Sequence, residues 1–149
     1  MPVTRKITVN APIETVWDVI SDVQKYPEFL KEVKSIKVDR VEGNRKTVTY
    51  EVTVVKTIQY TLVLTEDKPR KVTWTMTKGQ MMSKNDGSWE LAADGPNRTD
   101  VTYTVDIKFG LLVPSTISNM LTEVNLPKML DAYKGRAESM VRSDPRHMP

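Results

Sequence analysis

Between Ser35 and Ile107 the chain alternates polar and apolar side chains, and this period of two constrains the fold more than any other feature. Val48, Tyr50, Val52 and Val54 share one parity while Thr47, Thr49, Glu51 and Thr53 share the other, over a segment from Thr47 to Val55. Ile58, Tyr60, Leu62 and Leu64 likewise oppose Gln59, Thr61 and Thr65, and Val72, Trp74 and Met76 oppose Lys71, Thr73, Thr75 and Thr77. Successive side chains of a strand point to opposite faces, so each segment predicts a strand with one apolar and one polar face. Ile36 and Val38 mark a strand from Ser35 that runs out at the turn residues Glu42-Gly43-Asn44. Gly87, Trp89 and Leu91 mark another over Asp86 to Leu91, after a loop carrying Met81 and Met82. Val101, Tyr103, Val105 and Ile107 mark the last, over Thr99 to Ile107. Short connections make neighbouring strands antiparallel, and the division of faces is that of a sheet with one side in water.

The apolar face of such a sheet must be covered. From Val113 to Val141, Ile117, Met120, Leu121, Val124, Leu130, Tyr133, Ala137, Met140 and Val141 recur mostly three or four apart, which predicts one long amphipathic helix. Unbroken it would reach roughly 40 Å. Sheet and helix are each other's only partners, so the expected architecture is α+β: a curved antiparallel sheet of about seven strands wrapped around the C-terminal helix. Pro127 interrupts the helical pattern, removing one hydrogen bond and crowding the preceding turn, so a kink is expected there. A kinked helix packs imperfectly on a curved sheet. The gap left between apolar walls is the kind of space that houses an apolar ligand.

Upstream, Thr4 to Asn10 reads as a first strand, and Pro12 suits the start of a short helix in which Ile13, Val16, Trp17 and Ile20 form the apolar stripe up to Asp22. Tyr26-Pro27 predicts a restart and a second short helix from Pro27 to about Val33. Residues 1–142 form one domain on this reading, and the tail 143–149, with two prolines and the single histidine, His147, is expected to be disordered.

The order and wording of these segments resemble a known family. Ile7 to Trp17, then Asp22 and Tyr26-Pro27-Glu28-Phe29, are similar to the opening of the polyketide cyclase/dehydrase and lipid-transport family of the START-like, helix-grip (SRPBCC) superfamily, including its ubiquinone-binding branch. Gly87-Ser88-Trp89, Thr102-Tyr103 and Leu126-Pro127-Lys128-Met129-Leu130 continue the likeness, which spans Thr4 to about Met140. The resemblance implies a helix-grip fold with a cavity between the long helix and the sheet. It implies a hydrophobic or aromatic small molecule as the usual occupant, and no single activity, because the fold also hosts cyclases and partner-binding modules.

The residues themselves exclude several chemistries. The sequence contains no cysteine and one histidine, so thiolate metal sites, cysteine nucleophiles and histidine-activated serines at Ser83, Ser88 or Ser115 are not expected, and no metal or cofactor is implied. A net charge of +3 with interspersed signs argues against nucleic acid as a partner, and Lys25, Lys31, Lys34 and Lys37 read first as a solvated face. Nothing resembles a secretory signal or a membrane-spanning stretch, so the expectation is a cytoplasmic protein, with transient membrane contact compatible with an apolar cargo. Glu51, Glu90 and Asp106 fall on the polar parity of their strands and read as outward. The inward parity and the helix stripe supply the expected ligand-binding residues: Tyr50, Tyr60, Trp74, Met76, Trp89, Tyr103, Met120, Leu121 and Val124. No catalytic residue stands out among them. The expected function is binding of a small hydrophobic ligand such as a quinone, isoprenoid, lipid or polycyclic aromatic, oriented by tyrosine hydroxyls. An aromatase/cyclase and a ribosome- or protein-binding module are the alternatives.

Overall fold

The computed structural model describes residues 2–53, 56–110 and 113–143. Val54 and Val55, expected in a strand, and residues 144–149 of the tail 143–149 that is expected to be disordered lie outside the described residues, while Ser143 ends the C-terminal helix. Seven strands form one antiparallel sheet: β1 (Val3–Val9), β2 (Val33–Glu42), β3 (Arg45–Thr53), β4 (Thr57–Asp67), β5 (Lys71–Gly79), β6 (Met82–Ala93) and β7 (Thr99–Phe109). Their spatial order is β1-β7-β6-β5-β4-β3-β2, so the first strand crosses over to pair with the last and every other neighbouring pair is consecutive in the chain. This is the curved seven-stranded sheet that the alternation predicts, with β2, β6 and β7 extended beyond their expected bounds and β1 shifted by one residue.

The two faces divide as the parity requires. Inward, Val48, Leu62, Leu64, Val72, Trp74, Trp89, Leu91, Val101 and Val105 are buried. Outward, threonine hydroxyls meet across strands, Thr49 with Thr61 at 2.9 Å and Thr53 with Thr57 at 2.7 Å. The strand acids take cationic or amide partners on that side: Lys71 reaches Glu90 at 3.1 Å, Lys84 reaches Asp106 at 2.8 Å, and Gln59 reaches Glu51 at 3.4 Å. The Lys84 hydrogen bond holds the Asp106 carboxyl below the usual carboxylate range.

Helix α1 (Ile13–Ser21) buries Val16, Trp17, Val19 and Ile20 and carries Glu14 in its first turn, where a carboxylate meets unsatisfied amides. The element after it corrects the expected helix from Pro27 to Val33. A 3-10 helix occupies Val23–Glu28 instead, with Pro27 inside its last turn, and β2 begins at Val33. The buried Tyr26 explains the shift: its hydroxyl donates to the Ile20 carbonyl, and its ring meets Phe29 edge-on at 5.8 Å, which fixes the turn upstream of Pro27.

The C-terminal helix is continuous but not uniform. It comprises α2 (Ser115–Met120), a π turn (Leu121–Asn125) and α3 (Leu126–Ser143). The disturbance expected at Pro127 thus appears as a π turn just before it, closed by the Leu126 amide donating to the Leu121 carbonyl. Widening the helix there offsets the crowding that a proline imposes on the preceding turn. Leu126, Leu130, Tyr133 and Ala137 are buried at spacings of four, three and four, while α2 buries no residue. The C-terminal half is also fastened by polar contacts, from the Asn10 amide to Glu138 at 2.9 Å and from Arg136 to Glu28 at 2.6 Å. The helix therefore grips the sheet with its second half and stands off it with its first.

Candidate functional site: a cavity under the first half of the helix

The gap beneath α2 and the π turn is a cavity of about 320 Å³. The helix contributes Ile117, Leu121, Thr122, Asn125, Leu126 and Met129, and the sheet contributes Val52, Ile58, Tyr60, Asn85, Tyr103, Val105 and Ile107. Met81 and Met82 close one side. Met81 adopts a left-handed backbone with φ of 62°, unusual outside glycine, and its carbonyl is fixed by the Gly110 amide at 2.9 Å. The expected loop at Met81-Met82 is thus a tight connection, and β6 begins at Met82 rather than Asp86.

Of the nine residues expected to bind ligand, the structure brings Tyr60, Tyr103 and Leu121 to the cavity wall. Tyr50 stands behind Tyr60, and Trp74 and Trp89 are buried around Tyr103 with ring centroids 5.6 and 4.6 Å from it. Trp89 continues to Tyr133 of α3 at 4.8 Å, and Tyr133 to Tyr26 at 5.3 Å, so an aromatic series runs from the sheet through the helix to the 3-10 turn. Met76 is half-buried with its thioether lying across Gly79. Met120 is half-buried, and Val124 is exposed, because the π turn rotates that side of the helix away from the sheet.

Polar groups on the wall are few. Among the described residues, neither the Tyr60 nor the Tyr103 hydroxyl has a hydrogen-bond partner in the protein. Burial raises the pKa of both, that of Tyr60 to about 12, so at neutral pH each is a phenol able to donate a hydrogen bond. Asn85 of β6 also lines the cavity, and sequence periodicity misses it because a polar residue on the inward parity reads as a break in the strand. Glu32 and Lys56 are the charged lining residues, and Lys56 is exposed, which puts its charge at the rim. Among the described residues no group of three His, Cys, Asp or Glu side chains is placed to hold a metal, and no helix is long and apolar enough to cross a membrane.

Residues 2–139 match the family described as polyketide cyclase / dehydrase and lipid transport. The chain belongs to that family. Solved structures agree on the fold. The Zhui aromatase/cyclase from Streptomyces sp. R1128 is similar with a TM-score of 0.86 at 23% identity, covering 96% of both chains. A START superfamily protein from Mycobacterium smegmatis is similar at 0.83 and 19% identity, covering 93% of this chain and 98% of that one. The protein TTHA0849 from Thermus thermophilus gives 0.83 and 19%, covering 97% and 100%. No curated protein sequence matches significantly. At these identities the likenesses speak to architecture alone.

Proposed function

We propose that this protein binds a compact, mainly apolar small molecule, a polycyclic aromatic or quinone in preference to a long isoprenoid or acyl chain, in the cavity under α2 and the π turn. The observation that carries this reading is a cavity walled by aliphatic, methionine and aromatic side chains in which the tyrosine hydroxyls have no protein partner. Its 320 Å³ lies at the small end of the range of about 300–1,000 Å³ for small-molecule sites, which favours a bicyclic or tricyclic body. Family membership supports a hydrophobic ligand, and the cavity carries its charges only in Glu32 and Lys56, so sugars and nucleotides find few partners.

A second reading, an aromatase/cyclase, draws on the similarity to the Zhui aromatase/cyclase. Tyr60 and Tyr103 could donate to ketone oxygens of a curled poly-β-ketone, but their raised pKa values keep them as neutral phenols with no phenolate available to act as base at neutral pH, and Glu32 is the carboxylate available on the wall. Binding therefore ranks first.

Native mass spectrometry of freshly purified protein, paired with tryptophan fluorescence during titration with naphthoquinone, tests both. The expected result is one ligand per chain with a Kd of about 1–100 μM, abolished in Leu121→Trp, which fills the cavity from the helix side. Absence of any fluorescence or melting response across a panel of apolar ring compounds overturns the binding reading. Turnover of a poly-β-ketone that is lost in Tyr60→Phe or Tyr103→Phe would put the cyclase first.

A further inference from the structure

Asn85 is a polar side chain on an apolar face. It lies on the inward parity of β6 with Gly87, Trp89 and Leu91, stands opposite Ile107 of β7, and is 8% exposed. Burying a carboxamide is costly unless its oxygen and nitrogen are both hydrogen-bonded. Half of that requirement is met: the Trp74 indole Nε1 donates to Asn85 Oδ1 at 3.1 Å. Among the described residues Asn85 Nδ2 has no hydrogen-bond partner, and since it is not one of the fully buried atoms it keeps access to open space, the cavity that Asn85 lines.

The indole decides which end of the carboxamide faces where. An indole N–H can only donate, so the atom facing it must be the oxygen, and the amide nitrogen with its two hydrogens is turned to the other side. The indole in turn is held by Gly87, directly opposite Trp74 in the ladder, where an added Cβ would stand 2.5 Å from the ring carbon Cζ2. Beyond this pair β6 turns to other partners: the Asp86 carboxylate accepts from the Met76 amide at 3.3 Å, and Asn85 reaches the cavity. A bare glycine thus seats the tryptophan, and the tryptophan orients the asparagine.

We propose that Asn85 sets ligand specificity, donating from Nδ2 to a ketone or quinone oxygen carried on the ring body of the ligand. This rests on the binding function proposed above and narrows it. Asn85 Nδ2 and the Tyr60 and Tyr103 hydroxyls all offer hydrogens into one small space, and the complementary group is an oxygen that accepts without bringing a hydrogen of its own. A plain hydrocarbon of the same shape would leave the buried amide unpaired, which is the arrangement that gives sites built to hydrogen-bond their selectivity.

Tetralone and its parent hydrocarbon tetralin differ by one carbonyl and serve as probes. Calorimetric titration of the wild-type protein is expected to show tetralone binding about tenfold more tightly than tetralin. In Asn85→Leu the ratio should fall severalfold toward the residual preference that the Tyr60 and Tyr103 hydroxyls supply, with tetralin bound as well as before or better. The wild-type protein also gives a readout that needs no variant: the Asn85 side-chain amide resonances should move downfield with tetralone and stay in place with tetralin. Equal affinities for the two probes in the wild-type protein, or a preference that survives Asn85→Leu undiminished with the amide resonances unmoved, overturn the specificity role while leaving the binding function intact. Failure of both probes to bind overturns the two together.

Discussion

The ring of Tyr60 lies on the ring of Tyr50, centroids 5.1 Å apart and planes 17° from parallel. The two residues are direct partners in the β3–β4 ladder, so the sheet register itself enforces the stack. Tyr60 faces the cavity and Tyr50, 6% exposed, is the wall behind it. Their substitutions should separate accordingly. Tyr50→Ala empties a packed position and is expected to cost about 3–4 kcal/mol by urea unfolding. Tyr60→Phe removes a hydroxyl with no protein partner, so stability should stay within about 0.5 kcal/mol while affinity for a carbonyl ligand drops severalfold. A large loss of stability in Tyr60→Phe would show that its hydroxyl serves the fold.

Gly87 is needed for its missing side chain and not for an unusual backbone. A Cβ there would press on the Thr104 carbonyl oxygen of β7 and on the Trp74 ring of β5, rigid neighbours on both sides. Gly87→Ala is therefore expected to destabilise by about 1–3 kcal/mol and to displace the indole from Asn85. Thermal melting together with the Trp74 indole N–H resonance reads both effects. An unshifted indole resonance at normal stability would mean the sheet gives way without cost.

All five tyrosines of the chain titrate abnormally: burial raises Tyr26, Tyr50, Tyr60, Tyr103 and Tyr133 above the ordinary phenol value. A raised folded pKa means that the neutral form is favoured in the native chain. Its contribution is fully present below about pH 10, where the unfolded tyrosine titrates, and is lost as pH climbs toward the folded values, about 12 for Tyr60. Stability should be insensitive to these groups through neutral pH, then fall by up to about 1.4 kcal/mol per pH unit for each tyrosine involved. Phenolate absorbance in the near ultraviolet should consequently appear together with loss of circular dichroism. Phenolate growing in near pH 10 with the fold intact would contradict the burial of these rings.

How much of this was legible in the sequence depended on whether the signal was local. The parity of Val48, Leu62, Trp74 and Val101 is a local property, and it gave the strands and their inward face. Tyr26 anchors the 3-10 turn through its ring contact with Phe29 and its hydrogen bond to Ile20, while the neighbouring Pro27 suggests a restart; the tertiary contact prevails. The first half of β6 was hidden because Asn85 replaces an apolar residue on the inward parity, so the periodicity starts only at Gly87. Of the three tyrosines expected to line the site, parity puts all on the inward face, but Tyr60 and Tyr103 reach the cavity wall while Tyr50 lies behind Tyr60. Trp74 and Trp89 were placed on the right face, but whether an inward ring meets ligand or other rings depends on where the helix lifts away, which no strand pattern records.

That lift is tied to Pro127. In a regular α-helix its ring would crowd the Glu123 carbonyl, and an interior proline costs about 3 kcal/mol. The π turn at Leu121–Asn125 relieves the contact by inserting extra chain into one turn, which changes the phase of everything before it by about 100°. Leu121, Thr122 and Asn125 thereby face the cavity while Val124 is turned out to 45% exposure. In Pro127→Ala the restored amide and absent ring should let the segment return to α geometry. Because Leu130, Tyr133 and Ala137 anchor the second half, it is α2 that would swing. The expected outcome is a gain of about 1 kcal/mol in stability with at least a fivefold loss of affinity for naphthoquinone, a trade of binding geometry for helix regularity. Melting temperature and fluorescence titration on the same sample measure the two. Unchanged affinity in a well-folded Pro127→Ala protein would mean that the π turn is held by the sheet side of the cavity and not by the proline.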